Sequence, residues 1–174
     1  MRVLIGTLAL LTLAACTPPG AATSTATTSA SPAAGAEAVV RALYDVAQQH
    51  IGKEATPLDA YPRTDELKSL MDRAEATAQA KEEPFLDGDL ALDCQDCGPI
   101  SDFQVGPTTG PTPEGHTLVQ ARFKMYNEDH AIVYDMVQIA GAWKIDNIIS
   151  SGFDLRKAAN DEINQTPATT TSAP

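Results

Sequence analysis

Residues 116–150 read HTLVQARFKMYNEDHAIVYDMVQIAGAWKIDNIIS, and this stretch decides the fold. From His116 to Tyr126 apolar and polar residues alternate. Val119, Ala121, Phe123 and Met125 fall on one side, Gln120, Arg122 and Lys124 on the other. Period two is the mark of a strand with one buried face. Asn127, Glu128 and Asp129 make a turn, and Ala131 to Ala140 form a second strand rich in Ile, Val, Tyr and Met. Ala140, Gly141 and Ala142 close a tight hairpin, after which Trp143 to Ser150 returns with Trp143, Ile145, Asn147 and Ile149 on one side. Strands joined by turns this short pair antiparallel, as a meander.

Working outward, Ser101 to Val105 adds an edge strand, and Pro107 to Gly115 is a loop rich in Pro and Gly. Upstream the period changes. Val39, Val40, Leu43, Val46, Ala47 and His50 follow helical spacing, with Gly52 as a stop. A second helix starts at Thr64, an N-cap behind Pro62, with Asp65 and Glu66 in its first turn and Leu67, Leu70, Met71, Ala74 and Ala78 as its apolar stripe. It is expected to end before Pro84. Asp154 to Ile163 has the pattern of a short closing helix. Helices followed by an antiparallel meander predict an α+β domain with the helices packed on one face of the sheet.

The N-terminus sets the address. Arg2, an apolar run from Val3 to Leu13 and the small pair Ala14 and Ala15 are in the order of a secretory signal peptide. The run is shorter than the roughly 20 residues a helix needs to cross a bilayer. Leu13-Ala14-Ala15-Cys16 resembles the lipobox of bacterial lipoproteins. That resemblance implies cleavage before Cys16 and lipid on its thiol, with more than one acyl chain and hence a stable anchor. Thr17 in place of Asp favours the outer membrane over the inner one in a Gram-negative cell. The predicted organisation is a signal peptide over 1–15, a lipidated Cys16 with an uncharged Thr/Ser/Pro/Ala tether to 35, one domain over 36–165, and a tail over 166–174 of the tether's composition. The domain faces the periplasm, and its membrane contact comes from the lipid.

Lys and Arg number 12 against 23 Asp and Glu, a formal net charge of −11, and no basic cluster occurs. Nucleic acid is therefore not expected as a partner. With Cys16 assigned to lipid, Cys94 and Cys97 are left as a candidate disulfide clipping a turn. A redox site is the sharper alternative, but Gly98 and Pro99 stop any helix there, and Asp93 and Asp96 disfavour a thiolate. His50, His116 and His130 are scattered singly, so no metal or other cofactor is expected. Asp87, Asp89, Asp93 and Asp96 do not have the spacing of a calcium loop. Gln95 and Asp96 fit a turn whose side chains bond the backbone, and this loop ranks first as a functional surface.

Two helices, a connecting segment and a meander ending in Trp143-Lys144-Ile145-Asp146 resemble the nuclear transport factor 2-like (cystatin-like cone) superfamily. More narrowly, Asp89 to Asp96 and Trp143 to Ile148 are similar to a family of secreted bacterial domains of unknown function. The superfamily resemblance implies a pocket between the concave sheet and the first helices, lined by Tyr44, Arg122, Tyr134, Asp135 and Trp143. Asp135 interrupts an apolar strand. In an apolar pocket its pKa would rise and it could act as a base, whereas on the solvent face it would pair with Arg122 or Lys124 across the hairpin. No histidine–carboxylate pair, nucleophile motif or phosphate-binding loop accompanies it. The leading expectation is a non-enzymatic envelope module binding an envelope protein or a small apolar ligand. The alternative is a small hydrolase or isomerase using Asp135.

Overall fold

A computed structural model describes residues 32–165. The segments expected to be the signal peptide, the lipidated Cys16, most of the tether and the tail lie outside the described residues. The elements run α1 (Pro32–His50), a single 3-10 turn (Leu58–Ala60), α2 (Asp65–Gln79), β1 (Ile100–Pro107), β2 (His116–Met125), β3 (Glu128–Ile139), β4 (Ala142–Ser150), β5 (Phe153–Asp154) and α3 (Leu155–Asn164). The strands form an open antiparallel sheet in the order β1-β2-β3-β4-β5. No described helix is long and apolar enough to cross a membrane.

The first helix starts earlier than expected. Pro32 to Gly35, assigned to the tether by composition, form its opening turn. Proline suits the first helical position, where its missing N–H is not needed. Gly35 has a packing reason as well: a Cβ there would lie 2.7 Å from the Trp143 Nε1, so only glycine lets the indole lie against α1. Arg41 fastens the same helix to the sheet by donating to the Val105 carbonyl at 2.6 Å. In α2 the Thr64 hydroxyl accepts from the Leu67 N–H at 3.1 Å, and Leu67, Leu70, Met71, Ala74 and Ala78 are all buried. Asp154 caps α3 in the same way by accepting from the Lys157 N–H.

Two strand details depart from the sequence pattern. The β2–β3 turn is the pair Tyr126 and Asn127, both at positive φ, and Glu128 already belongs to β3. Two left-handed residues match the right-handed twist of the flanking strands. The second departure is a bulge in β4. Met136 pairs with Ile145 and Asp135 with Asn147, which leaves Asp146 as the extra residue. A bulge shifts the alternation by one. Beyond it Ile148 is buried rather than Ile149, and Asn147 lies on the Asp135 side.

Both ends of β4 have edge partners. Arg63 bridges to Ile145, through Thr64 N–H to the Ile145 carbonyl at 2.9 Å and Ile145 N–H to the Pro62 carbonyl at 2.8 Å. β5 pairs with the far end. The main core joins α1, α2, the N-terminus of α3 and one sheet face, while Leu70, Ala74 and Ala159 form a smaller cluster between α2 and α3.

Candidate functional site

The space between helices and sheet, expected to hold a pocket, is filled. Tyr44 and Tyr134 are both 0% exposed. The Tyr44 ring stacks on Phe103 at 4.5 Å between centroids and meets Phe123 and Tyr134 edge-on. Burial pushes the hydroxyls of Tyr44, Tyr61 and Tyr134 far above the ordinary tyrosine value. They are core residues. Trp143 is half-buried against α1, and Arg122 sits exposed on the opposite sheet face, donating to Gln120 Oε1 at 2.6 Å. The five residues expected to share a pocket do not line one.

The loop 86–98 is a surface feature with two grooves. Cys94 and Cys97 are disulfide-bonded with Cα atoms 5.4 Å apart, as the even pair suggested. Asp89 ties this loop to the body. It is 5% exposed and accepts from the N–H groups of Thr56 (2.6 Å), Ala91 (2.8 Å) and Leu92 (3.0 Å), and from the Thr56 hydroxyl at 2.5 Å. Of the four aspartates in the loop, Asp87, Asp93 and Asp96 are exposed and only Asp89 turns inward.

On one side of the loop a polar groove of about 280 Å³ runs among His50, Glu54, Gln95, Asp96, Cys97 and Tyr126. On the other side a cavity of about 340 Å³ is walled by Leu86, Leu90, Cys94, Phe153 and Ser150, with Asp87 and Asp93 among its acids. Each groove is lined by a residue with a buried side-chain atom that has no hydrogen-bond partner, His50 with Nδ1 and Ser150 with Oγ; Arg63 Nε, away from both grooves, is also unpartnered. Buried polar atoms in native proteins are nearly always satisfied, by protein, water or ligand. Gln95 and Asp96 line the polar groove, but the turn is not held by their side chains on the backbone: Gln95 Nε2 donates to Asp87 Oδ2 at 2.6 Å, and Asp96 accepts from the Tyr126 hydroxyl through its own carbonyl at 3.1 Å. His50 and Ser150 were not legible, because their helix and strand ends are brought to the loop only by the tertiary fold.

Asp135 lies on the outer sheet face, outside the filled interior, and its partner is neither Arg122 nor Lys124. Lys124 pairs instead with Asp129 at 2.7 Å. Asp135 is directly opposite Leu118, and its carboxylate contacts His116 Nδ1 at 2.8 Å and accepts from the Thr112 hydroxyl at 3.1 Å. The histidine–carboxylate pair judged missing from the sequence therefore exists. The hydroxyl bonds the carboxylate and not the imidazole, so this is not the order of a base-activated nucleophile. The loop 108–115 folds over this face, with Gly110 against Leu118, which is 8% exposed. Asp146, the extra residue of the β4 bulge, accepts from Thr64 Oγ at 2.8 Å and from the Arg156 guanidinium at 2.5 Å.

No protein-family model matches the sequence, and no curated protein matches it. Among solved structures, the chain is similar to a phospholipid-binding protein from Ralstonia solanacearum in complex with a phospholipid. The TM-score is 0.44 and the identity 12%, over 72% of this chain and 84% of that one. A likeness this faint carries neither fold family nor ligand across.

Proposed function

We propose that this chain is a non-enzymatic binding module of the cell envelope, anchored through lipid on Cys16, with the disulfide-clipped loop 86–98 and its flanking grooves as the binding surface. The observation that carries the proposal is the contrast between interior and surface. The interior is packed with Tyr44, Phe103, Phe123 and Tyr134, whereas two grooves flank the loop and each contains a residue with an unpartnered buried atom. The groove walled by Leu86, Leu90 and Phe153 offers apolar contact to a side chain of a partner or to a small apolar ligand, with Asp87, Asp93 and Gln95 as polar groups beside it. The same proposal places the domain in the nuclear transport factor 2-like superfamily, on the strength of N-terminal helices followed by a bulged antiparallel meander with Trp143 as its aromatic anchor.

Native mass spectrometry and pull-down from solubilised envelopes test the binding claim. The expected result is a specific companion lost in the exposed double variant Gln95→Ala/Asp96→Ala. A monomer with no companion would count against it. Labelling with a fatty-acid analogue tests the anchor: label should enter the wild type and be absent from Cys16→Ala. Equal label in both would remove the lipid, and with it the outer-membrane location, from the proposal.

A further inference from the structure

We propose that His116, Asp135 and Asp146 form a binding site for a divalent transition cation, with zinc the best match. The three residues come from adjacent strands β2, β3 and β4, and one donor atom of each lies within 4.8 Å of the others. His116 Nδ1 and Asp135 Oδ1 are already 2.8 Å apart. Zinc bonds nitrogen and carboxylate oxygen at about 2.0–2.2 Å, which sets tetrahedral ligand atoms roughly 3.3 Å from one another. Side-chain adjustments of about an ångström convert the present arrangement into that geometry.

The surroundings support a site rather than a chance approach. The side chains of His116 and Asp135 are each 13% exposed and that of Asp146 is 17% exposed. They are held, yet reachable by water, which supplies the open position of a three-ligand site. Asp146, the extra residue of the β4 bulge, stands beside Asp135 with its carboxylate in reach of the other two donors. Thr64 Oγ and Arg156 fix one oxygen of Asp146, and Thr112 Oγ fixes Asp135, as outer hydrogen bonds commonly do for metal ligands. Arg156 brings a positive charge near the site. Two carboxylates and a chain with formal net charge −11 outweigh it. One imidazole and two carboxylates favour a borderline cation over calcium or magnesium, which take oxygen ligands alone.

Zinc titration of the full chain against a chromophoric chelator tests the site. One zinc should bind with micromolar or tighter affinity, weakened at least tenfold by His116→Gln and by Asp135→Asn. His130→Gln, at a histidine outside the site, should leave it unchanged. Because the first two variants also loosen the loop 108–115, the imidazole nitrogen resonances of the wild type give a second readout needing no substitution. The His116 signal should shift with the first equivalent of zinc. Affinity weaker than 1 mM, affinity unmoved by His116→Gln, or a first equivalent that shifts His50 or His130 instead would overturn the proposal.

Discussion

Asp89, 5% exposed, and Asp135, its side chain 13% exposed, are both largely buried carboxylates, and their neighbours divide them. Asp89 accepts from three backbone N–H groups and a hydroxyl. Replacing it by alanine leaves those buried donors without an acceptor, each at a cost of roughly 1 kcal/mol or more. Asp89→Ala should lower stability by about 3 kcal/mol in urea titration, with Asp87→Ala, on the exposed side of the same loop, changing it by less than about 0.5 kcal/mol. The loop's concentration of aspartates was visible in the sequence; which of them turned inward was not, since Thr56 and Tyr61 lie some thirty residues away. Asp135 stands out in the sequence because it breaks an apolar strand. Its partner His116 escaped notice because the register of β2 against β3, which puts Asp135 opposite Leu118, is a property of the hairpin rather than of either residue.

At the scale of elements, the alternation from Val119 to Met125 and the apolar stripe of α2 were fully legible, because burial repeats with the period of the backbone. The bulge was not. One inserted residue leaves the local composition unchanged and is fixed only by pairing, so strict alternation places Ile149 where Ile148 belongs. The start of α1 was hidden for a related reason: small uncharged residues fit a tether and a helix equally until Trp143 is known to lie on Gly35. The β3–β4 turn holds Ala140 at φ 50 beside Gly141 at φ 83. Asparagine tolerates that conformation better than alanine, and Asn-Gly is the preferred pair for such a turn. Ala140→Asn should raise stability by about 0.5 kcal/mol, measurable as a higher urea midpoint at constant slope. The disulfide closes so short a loop that its entropic effect is small. The Cys94→Ser/Cys97→Ser double variant should lose about 2 kcal/mol and still fold.

Over the whole molecule, one core holds three buried tyrosines, Tyr44, Tyr61 and Tyr134. Burial raises their folded-state pKa values above the unfolded value near 10. The folded chain therefore keeps protons that the unfolded chain loses. Their contribution is fully present below about pH 10 and falls as pH rises beyond it, by roughly 4 kcal/mol per pH unit for three protons. Unfolding monitored by circular dichroism should become steeply alkaline-sensitive above pH 10, together with the rise in tyrosinate absorbance. Replacing Tyr44 and Tyr134 by Phe should flatten that dependence. These tyrosines also explain why the expected pocket is missing: aromatic residues in a strand and a helix do not reveal whether they line a cavity or fill it.

With the interior filled, the binding proposal rests on the loop 86–98. A photoreactive amino acid placed at Gln95 in the full chain, expressed in the native host, tests this directly. A second probe at Ala76, exposed on α2, serves as the positional control. A discrete adduct is expected from position 95 and none from position 76. Adducts of equal yield from both, or from Ala76 alone, would contradict it.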